Sequence, residues 1–158
     1  MPLPLKDKKA VLRPTKLLLG LALLLFIPFA VAQNTLGELL DAGAKKISPE
    51  EFRQDVVQRV LVGANPSGGR MELMYATSGV IQGRIDTPTP FATGVPFYSS
   101  IDGVWNIDDS GRTCTSMVFG KTFLPFRCQY WFKYKDDYFI ADSDSDRSAK
   151  VLRRTVKQ

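Results

Sequence analysis

The sequence predicts a small, mainly β protein: an antiparallel meander of seven or eight strands that forms a barrel or half-barrel, preceded by an N-terminal helical segment. Three observations indicate this class. From residue 59 onwards, short runs rich in β-branched and aromatic residues alternate apolar with polar side chains. Clusters of Gly, Asn, Asp, Pro and Ser separate these runs at regular intervals. No helical pattern lies between the runs, so successive strands are expected to pair antiparallel.

The first 32 residues have the pattern of a secretory signal peptide that is cleaved from the mature protein. Five basic residues precede or border an apolar run at residues 17–29, and Ala30-Val31-Ala32 places small residues at the cleavage positions. Residues 17–32 are fewer than the roughly 20 that a membrane-spanning helix needs. We therefore expect a periplasmic or secreted protein that has no membrane contact after cleavage.

Most of the net charge of +5 belongs to this leader. It holds five of the 21 basic residues and one of the 16 acidic residues, so the remaining 126 residues carry a net charge of about +1. A chain so close to neutrality gives no support for a nucleic-acid partner.

After the signal peptide we expect a helical segment at residues 33–58 and one antiparallel β domain at residues 59–158. The start of a helix is clearly marked within the first segment. Ser48 has the features of an N-cap, Pro49 occupies the first helical position, and Glu51 completes a capping box. This helix is expected to cover one face or one end of the sheet.

The β domain is expected to contain eight short strands. Their predicted bounds are 59–64, 70–76, 80–85, 101–108, 112–119, 126–134, 138–142 and 150–155. In the fourth strand, Ile101, Trp105 and Ile107 share one face, which we expect to line the core.

The chain has two cysteines, and in an exported protein they are expected to form one disulfide. A hairpin centred on Lys121 places Cys114 directly opposite Cys128. The same register puts Val118 opposite Leu124 on the face of the disulfide, so we expect the disulfide to lie on the core side. A bridge between neighbouring strands fits best at a non-hydrogen-bonded pair, where side chains are closest.

The sequence contains no histidine. This excludes Ser-His-Asp and Cys-His catalysis and the ordinary zinc sites. No other group of residues points to catalysis, to a metal or to a cofactor. We therefore predict no catalytic, metal-binding or cofactor-binding residues, and a protein that is not an enzyme.

One acidic run, residues 142–146 (DSDSD), resembles the start of a calcium-binding loop. The EF-hand pattern requires Gly at its sixth position and Glu at its twelfth, where this chain has Arg147 and Arg153. We expect a polar turn with solvated acids. A cation site of another geometry is the alternative.

Candidate contact residues come from one loop and one strand. Residues 87–100 form the longest segment without regular periodicity and carry Phe91, Phe97 and Tyr98. Two interpretations are open: these rings plug one end of the barrel, or they form a surface for a partner. Trp131 lies on the opposite strand face from its aromatic neighbours, and we expect it to extend the contact surface.

Several short segments carry a resemblance to a known family. They are residues 43–48 (GAKKIS), 68–70 (GGR), 103–105 (GVW) and 109–114 (DSGRTC), with Cys128 ahead of an aromatic strand. With them the chain resembles the exported proteobacterial proteins grouped as domain-of-unknown-function family 995, over most of residues 33–158. The resemblance implies a small exported β domain. It implies no activity and no role for any residue.

From these observations we expect a non-enzymatic envelope protein that acts through contacts with an unknown protein partner, as an accessory or inhibitor-like module. The alternative is a carrier of a small hydrophobic ligand, because a barrel of about eight strands is either filled or holds one such ligand. A carboxylate-based hydrolase is the least favoured class.

Overall fold

The computed structural model describes residues 34–65, 69–87 and 97–158. The predicted signal peptide and Phe91 lie outside these residues. The backbone of Phe97 and Tyr98 belongs to a described strand, but their side chains lie outside the description.

The structure is mainly β, as predicted, and its barrel is closed. The described residues form two helices and nine strands. The helices are α1 (Leu36–Asp41) and α2 (Pro49–Asp55). The strands are β1 (Lys45–Lys46), β2 (Val60–Ala64), β3 (Arg70–Tyr75), β4 (Val80–Thr87), β5 (Phe97–Ile107), β6 (Thr113–Phe119), β7 (Thr122–Tyr134), β8 (Asp137–Ala141) and β9 (Leu152–Val156).

Eight strands, β2 to β9, form the wall of the barrel, and each pairs antiparallel with the next along the chain. The wall closes where β9 pairs with β2, with Leu61 opposite Val156. Strand β7 is long enough to pair with β6 along its first part and with β8 along its second part. The short strand β1 lies outside the barrel and pairs with β7, Lys45 opposite Lys133.

Both helices begin with a capping box. In α2 the predicted box is confirmed: the Ser48 hydroxyl accepts a hydrogen bond from the backbone N–H of Glu51, and the Glu51 carboxylate accepts one from the N–H of Ser48 at 2.7 Å. Thr35 and Glu38 form the same arrangement at the start of α1. Each box satisfies backbone donors that the first turn of a helix leaves unpaired.

Helix α2 closes one end of the barrel, which is one of the two positions predicted for it. Phe52 is 2% exposed, and its ring meets those of Tyr75, Trp105 and Trp131 edge-on at centroid distances of 5.0–5.5 Å. Val56, one turn later, is fully buried in the same cluster. This end of the barrel is therefore filled by aromatic and aliphatic side chains.

A second cluster lies on the outer side of the wall. There Leu36 and Leu39 of α1, both fully buried, pack against Phe132 of β7 and Phe139 of β8. Helix α1 thus covers an apolar patch on the outside of these two strands.

This outer cluster corrects the prediction for Trp131. The residue does lie on the opposite face from Phe132, but that face is the inside of the barrel, where Trp131 is 4% exposed. The prediction of an exposed Trp131 is wrong because α1 makes the outer face of β7 apolar as well. Both faces of β7 are therefore buried at Trp131 and Phe132.

The disulfide forms at the predicted pair. Cys114 lies opposite Cys128, with Cα atoms 3.9 Å apart. Its predicted position on the core face is wrong, however. Trp105 faces the core and pairs with Thr115, whereas Cys114 pairs with the exposed Asn106 and shares its face. The disulfide therefore lies on the outer wall of the barrel.

A bulge in β7 accounts for part of the error, because the prediction used the pairing of Val118 with Leu124 to assign the face. The register between β6 and β7 shifts by one residue between Thr115 and Met117, so Met117 lies opposite Leu124 and Val118 opposite Phe123. A single extra residue exchanges the two faces of a strand. Val118 therefore shares the outer face with Cys114 and pairs with Phe123, whereas Leu124 lies on the inner face opposite Met117.

Candidate functional site

One arginine lies inside the barrel. On β9, Leu152 and Val156 both pack against the core, and Arg154 lies between them on the same strand face. Arg154 is 4% exposed. Across the sheet it is paired with Tyr138 of β8, another buried residue of the core. The sequence analysis missed this residue, although the alternation of residues 152–156 places it on an apolar face.

The neighbouring strand has no side chain where this arginine lies. The β2–β9 register continues from Val62, paired with Thr155, to Gly63 beside Arg154. A Cβ atom at position 63 would lie 2.3 Å from Nη1 of Arg154 and 2.6 Å from the carbonyl oxygen of Arg153. Only glycine allows this close approach of the guanidinium to the β2 backbone.

The guanidinium of Arg154 is only partly hydrogen-bonded. Its bonds to described residues both leave from Nη1, to the carbonyl oxygens of Ala64 at 3.2 Å and of Arg153 at 2.9 Å. Nε is buried and has no hydrogen-bond partner. No ion pair joins Arg154 to an acid of residues 34–65, 69–87 or 97–158, and residues 66–68 and 88–96 contain no acid.

The surroundings of this cation are apolar and aromatic. Burial lowers the pKa of Arg154, but an arginine keeps its charge in proteins. Burial also raises the pKa of Tyr75 to about 12, an effect that the positive charge of Arg154 opposes. Tyr75 is therefore protonated at neutral pH, and the barrel interior holds a charge whose burial costs several kcal/mol unless it is paired.

Half-buried apolar side chains face the barrel interior at both ends. At the α2 end, Trp105 is half-buried and the helix covers it through Phe52. Away from it, four inward-facing apolar side chains are only half-buried: Ile85, Met117, Phe119 and Leu152. These side chains point into the barrel and still keep accessible surface, so this half offers an apolar lining to a small molecule.

A groove of about 310 Å³ lies over β2, β3 and β4, and its lining includes Glu72. The carboxylate of Glu72 binds Lys157 at 3.2 Å, Arg84 at 3.2 Å and Arg70 at 3.0 Å. Burial raises the pKa of Glu72, but hydrogen bonding to Lys157 and the charge of Arg84 outweigh it and leave the pKa below its ordinary value. An ionised carboxylate with three cationic partners is a structural ion pair and not a general acid.

One group of metal-ligand residue types comes together within the described residues: Asp108, Cys114 and Cys128. The two sulfurs form the disulfide, so they supply no thiolate to a metal. Hydrogen bonds from Arg112, first from its backbone N–H and then from its side chain, lower the pKa of Asp108. The group is a stabilised turn beside a disulfide.

The acids of residues 142–146 each have a separate partner. Asp142 pairs with Arg127, Asp144 binds Lys46 at 2.8 Å, and Asp146 accepts hydrogen bonds within its own loop. They do not converge on a common point as calcium ligands do. The segment forms a polar turn.

An exposed apolar patch covers the outer wall of β5, β6 and β7. Phe123 and Phe126 are 65% and 63% exposed, and Val104 and Val118 extend the patch at 59% and 37%. These residues point outward on both sides of the bulge near Ser116. The sequence analysis missed the patch because the predicted register placed Val118 in the core.

Of the residues predicted to form a site, the structure brings together Cys114 and Cys128 and places Trp131 inside the barrel. The side chains of Phe91, Phe97 and Tyr98 lie outside the described residues, so the predicted aromatic surface stays a prediction. Instead, the structure identifies an interior site around Arg154.

Comparison of the chain with protein-family models, with curated proteins and with solved structures found no match. In the described part of the chain, neither helix has the length and hydropathy needed to span a bilayer. Fold and site together describe a closed, antiparallel β-barrel that α2 closes at one end and that contains a buried cation with no ion pair to the described residues.

Proposed function

We propose that this protein binds a small, largely apolar ligand inside its barrel. The observation that carries the proposal is Arg154, a buried cation for which the described residues provide no acidic partner and no hydrogen-bond acceptor at Nε. Burying such a group destabilises a fold, and a group of this kind inside a concave interior is a candidate binding residue. The half-buried apolar residues beyond it supply a matching lining.

The acidic side chains favour a binding protein over a hydrolase. Glu72, Asp55 and Asp142 are each engaged with basic side chains, which lower the pKa of each carboxyl group. A carboxylate pair for hydrolysis needs one member whose pKa is raised so that it donates a proton. We therefore propose a carrier or sensor rather than a catalyst.

Binding of a neutral fluorescent dye tests the proposal. N-phenylnaphthylamine is apolar and gains fluorescence when it leaves water, so the protein is expected to bind it saturably at one site. Met117→Trp fills the interior and should weaken dye binding at least tenfold by overpacking. Val118→Trp, the outward-facing neighbour, is the matched control and should leave it unchanged. Failure of the wild-type protein to bind dye, or equal effects of both substitutions, would contradict the proposal.

Contact with a protein partner is the second candidate function, and the exposed patch at Val104, Val118, Phe123 and Phe126 favours it. An apolar patch of this kind on a folded domain is typical of an interaction surface. Affinity capture from a periplasmic extract should return a reproducible partner with the wild-type protein and lose it with Phe123→Ser/Phe126→Ser. Equal capture by both proteins would remove this candidate.

We also propose that the protein is exported, which its Cys114–Cys128 disulfide supports because such bridges persist in oxidising compartments. N-terminal sequencing of the protein purified from the periplasm should read from Gln33. Recovery of a chain that retains residues 1–32 would contradict cleavage at this position.

A further inference from the structure

We infer that the ligand of the barrel is an amphiphile with a single carboxylate head group, and that this carboxylate binds the free edge of the Arg154 guanidinium. The inference rests on the proposed function and specifies its ligand class. The apolar tail lies in the half of the barrel away from α2, against the half-buried side chains of Ile85, Met117, Phe119 and Leu152.

The pattern of hydrogen bonds selects the head group. Nη1 of Arg154 is held by the carbonyl oxygens of Ala64 and Arg153. The remaining edge of the planar guanidinium, formed by Nε and Nη2, presents two parallel N–H donors. A carboxylate accepts two parallel hydrogen bonds from such an edge, and this bidentate geometry is among the strongest polar contacts in proteins.

The charge balance selects a monoanion. Arg154 contributes one positive charge, and it forms no ion pair within the described residues. A carboxylate neutralises that charge completely. A phosphate monoester carries up to two negative charges at neutral pH, so the second charge would stay buried without a partner.

The packing sets the direction of the tail. Toward α2 the interior is filled by Phe52, Val56 and the rings around them, all closely packed. On the other side, the half-buried side chains of Met117 and Leu152 point inward. A tail attached to a carboxylate at Arg154 therefore extends away from α2.

Displacement of bound N-phenylnaphthylamine by lauric acid and by methyl laurate, both below their aggregation limits at neutral pH, tests the inference. The two compounds have the same tail, and the ester replaces the negative charge of the head group by a methyl ester. The wild-type protein should bind lauric acid roughly ten- to a hundredfold more tightly than the ester, the range for a hydrogen bond between charged groups. Arg154→Met should abolish this preference. Arg153→Met, the outward-facing neighbour, should retain it.

A further variant and a further ligand distinguish failure of the inference from failure of the proposed function. Arg154→Lys keeps the charge without the planar edge, so it should show an intermediate preference, and it replaces Arg154→Met if that variant does not fold. Dye binding with equal affinity for acid and ester, or a preference that survives in Arg154→Met, would overturn the inference and leave the proposed function standing. Lauryl phosphate binding more tightly than lauric acid would overturn the choice of head group. Absence of dye binding would instead contradict the proposed function.

Discussion

Gly63 and Arg154 are neighbours on β2 and β9, and the missing side chain of Gly63 makes room for the guanidinium of Arg154 inside the barrel. A Cβ atom at position 63 would lie 2.3 Å from Nη1. The β2 backbone thus accommodates a buried charge that offers nothing to stability unless it is paired. The absence of a side chain at Gly63 therefore allows Arg154 to lie in the proposed binding site.

Gly63→Ala is expected to destabilise the protein. The new methyl group meets the carbonyl oxygen of Arg153 as well as the guanidinium of Arg154, so the β2–β9 pairing must shift. Overpacking of this kind typically costs about 1–3 kcal/mol. Urea unfolding measures the change, with Ala64→Ser on the exposed face as the control. A midpoint equal to that of the wild-type protein would show that the two strands do not approach this closely.

Arg154→Met is expected to stabilise the ligand-free protein. Replacing a buried, unpaired charge by an apolar side chain of similar length removes its desolvation cost, an effect of about 1–3 kcal/mol. Arg153→Met, which loses only a surface ion pair with Asp137, should change stability by less than about 1 kcal/mol. Thermal unfolding of ligand-free samples compares the three proteins. A strong loss of stability in Arg154→Met would indicate that Arg154 serves the fold rather than a ligand.

Removal of the disulfide is expected to lower stability without affecting the interior. Cys114 and Cys128 are 14 residues apart in sequence, and the chain-entropy model gives such a bridge about 3 kcal/mol. Because the disulfide lies on the outer wall, Cys114→Ala/Cys128→Ala should still bind N-phenylnaphthylamine with wild-type affinity once folded. A folded double variant that no longer binds dye would contradict this position of the disulfide.

Acidification is expected to weaken the contact between α2 and the barrel. The hydrogen bond from Lys133, at 2.7 Å, lowers the pKa of Asp55 below its ordinary value of 3.8, although burial opposes it. A depressed pKa in the folded state adds stability above the ordinary pKa, and this stability is lost as the pH falls through the folded value. Asp55→Asn should therefore flatten the fall in unfolding free energy below about pH 4. Asp109→Asn, at an exposed turn, is the control and should follow the wild-type curve.

The strands could be predicted from sequence because turns and period-two alternation are local signals. All eight predicted runs begin or end within a few residues of the strands observed, and β1 was missed because two residues carry no periodicity. The largest differences are at β5 and β7, which begin at Phe97 and Thr122 instead of at the predicted residues 101 and 126. Strand β4 extends to Thr87, so the predicted loop between β4 and β5 is shorter. The N-cap at Ser48 could also be predicted from the sequence, since a capping box involves only four consecutive residues.

The faces of the strands could not be predicted in the same way. Alternation shows which residues share a face, but it does not show which face is inside when both are covered. Trp131 and Phe132 are both buried, one by the barrel core and the other by α1. One extra residue in β7 then reversed the assignment for Phe123 and Leu124.

The site was missed for a related reason. Arginine is almost never buried without a partner, so an arginine within the alternating run of β9 suggests an exposed position. Only the closure of β9 against β2 shows that the face shared by Leu152, Arg154 and Val156 is the inner one. The same closure places Gly63 beside Arg154 and leaves room for its guanidinium.

The crystal structure of the protein with lauric acid tests the central claim most directly. We predict that the carboxylate lies inside the barrel within hydrogen-bond distance of Nε of Arg154, with the tail extending past Met117 and away from Phe52. A lauric acid molecule bound only on the outer wall, at Phe123 and Phe126 or in the groove beside Glu72, would contradict the claim.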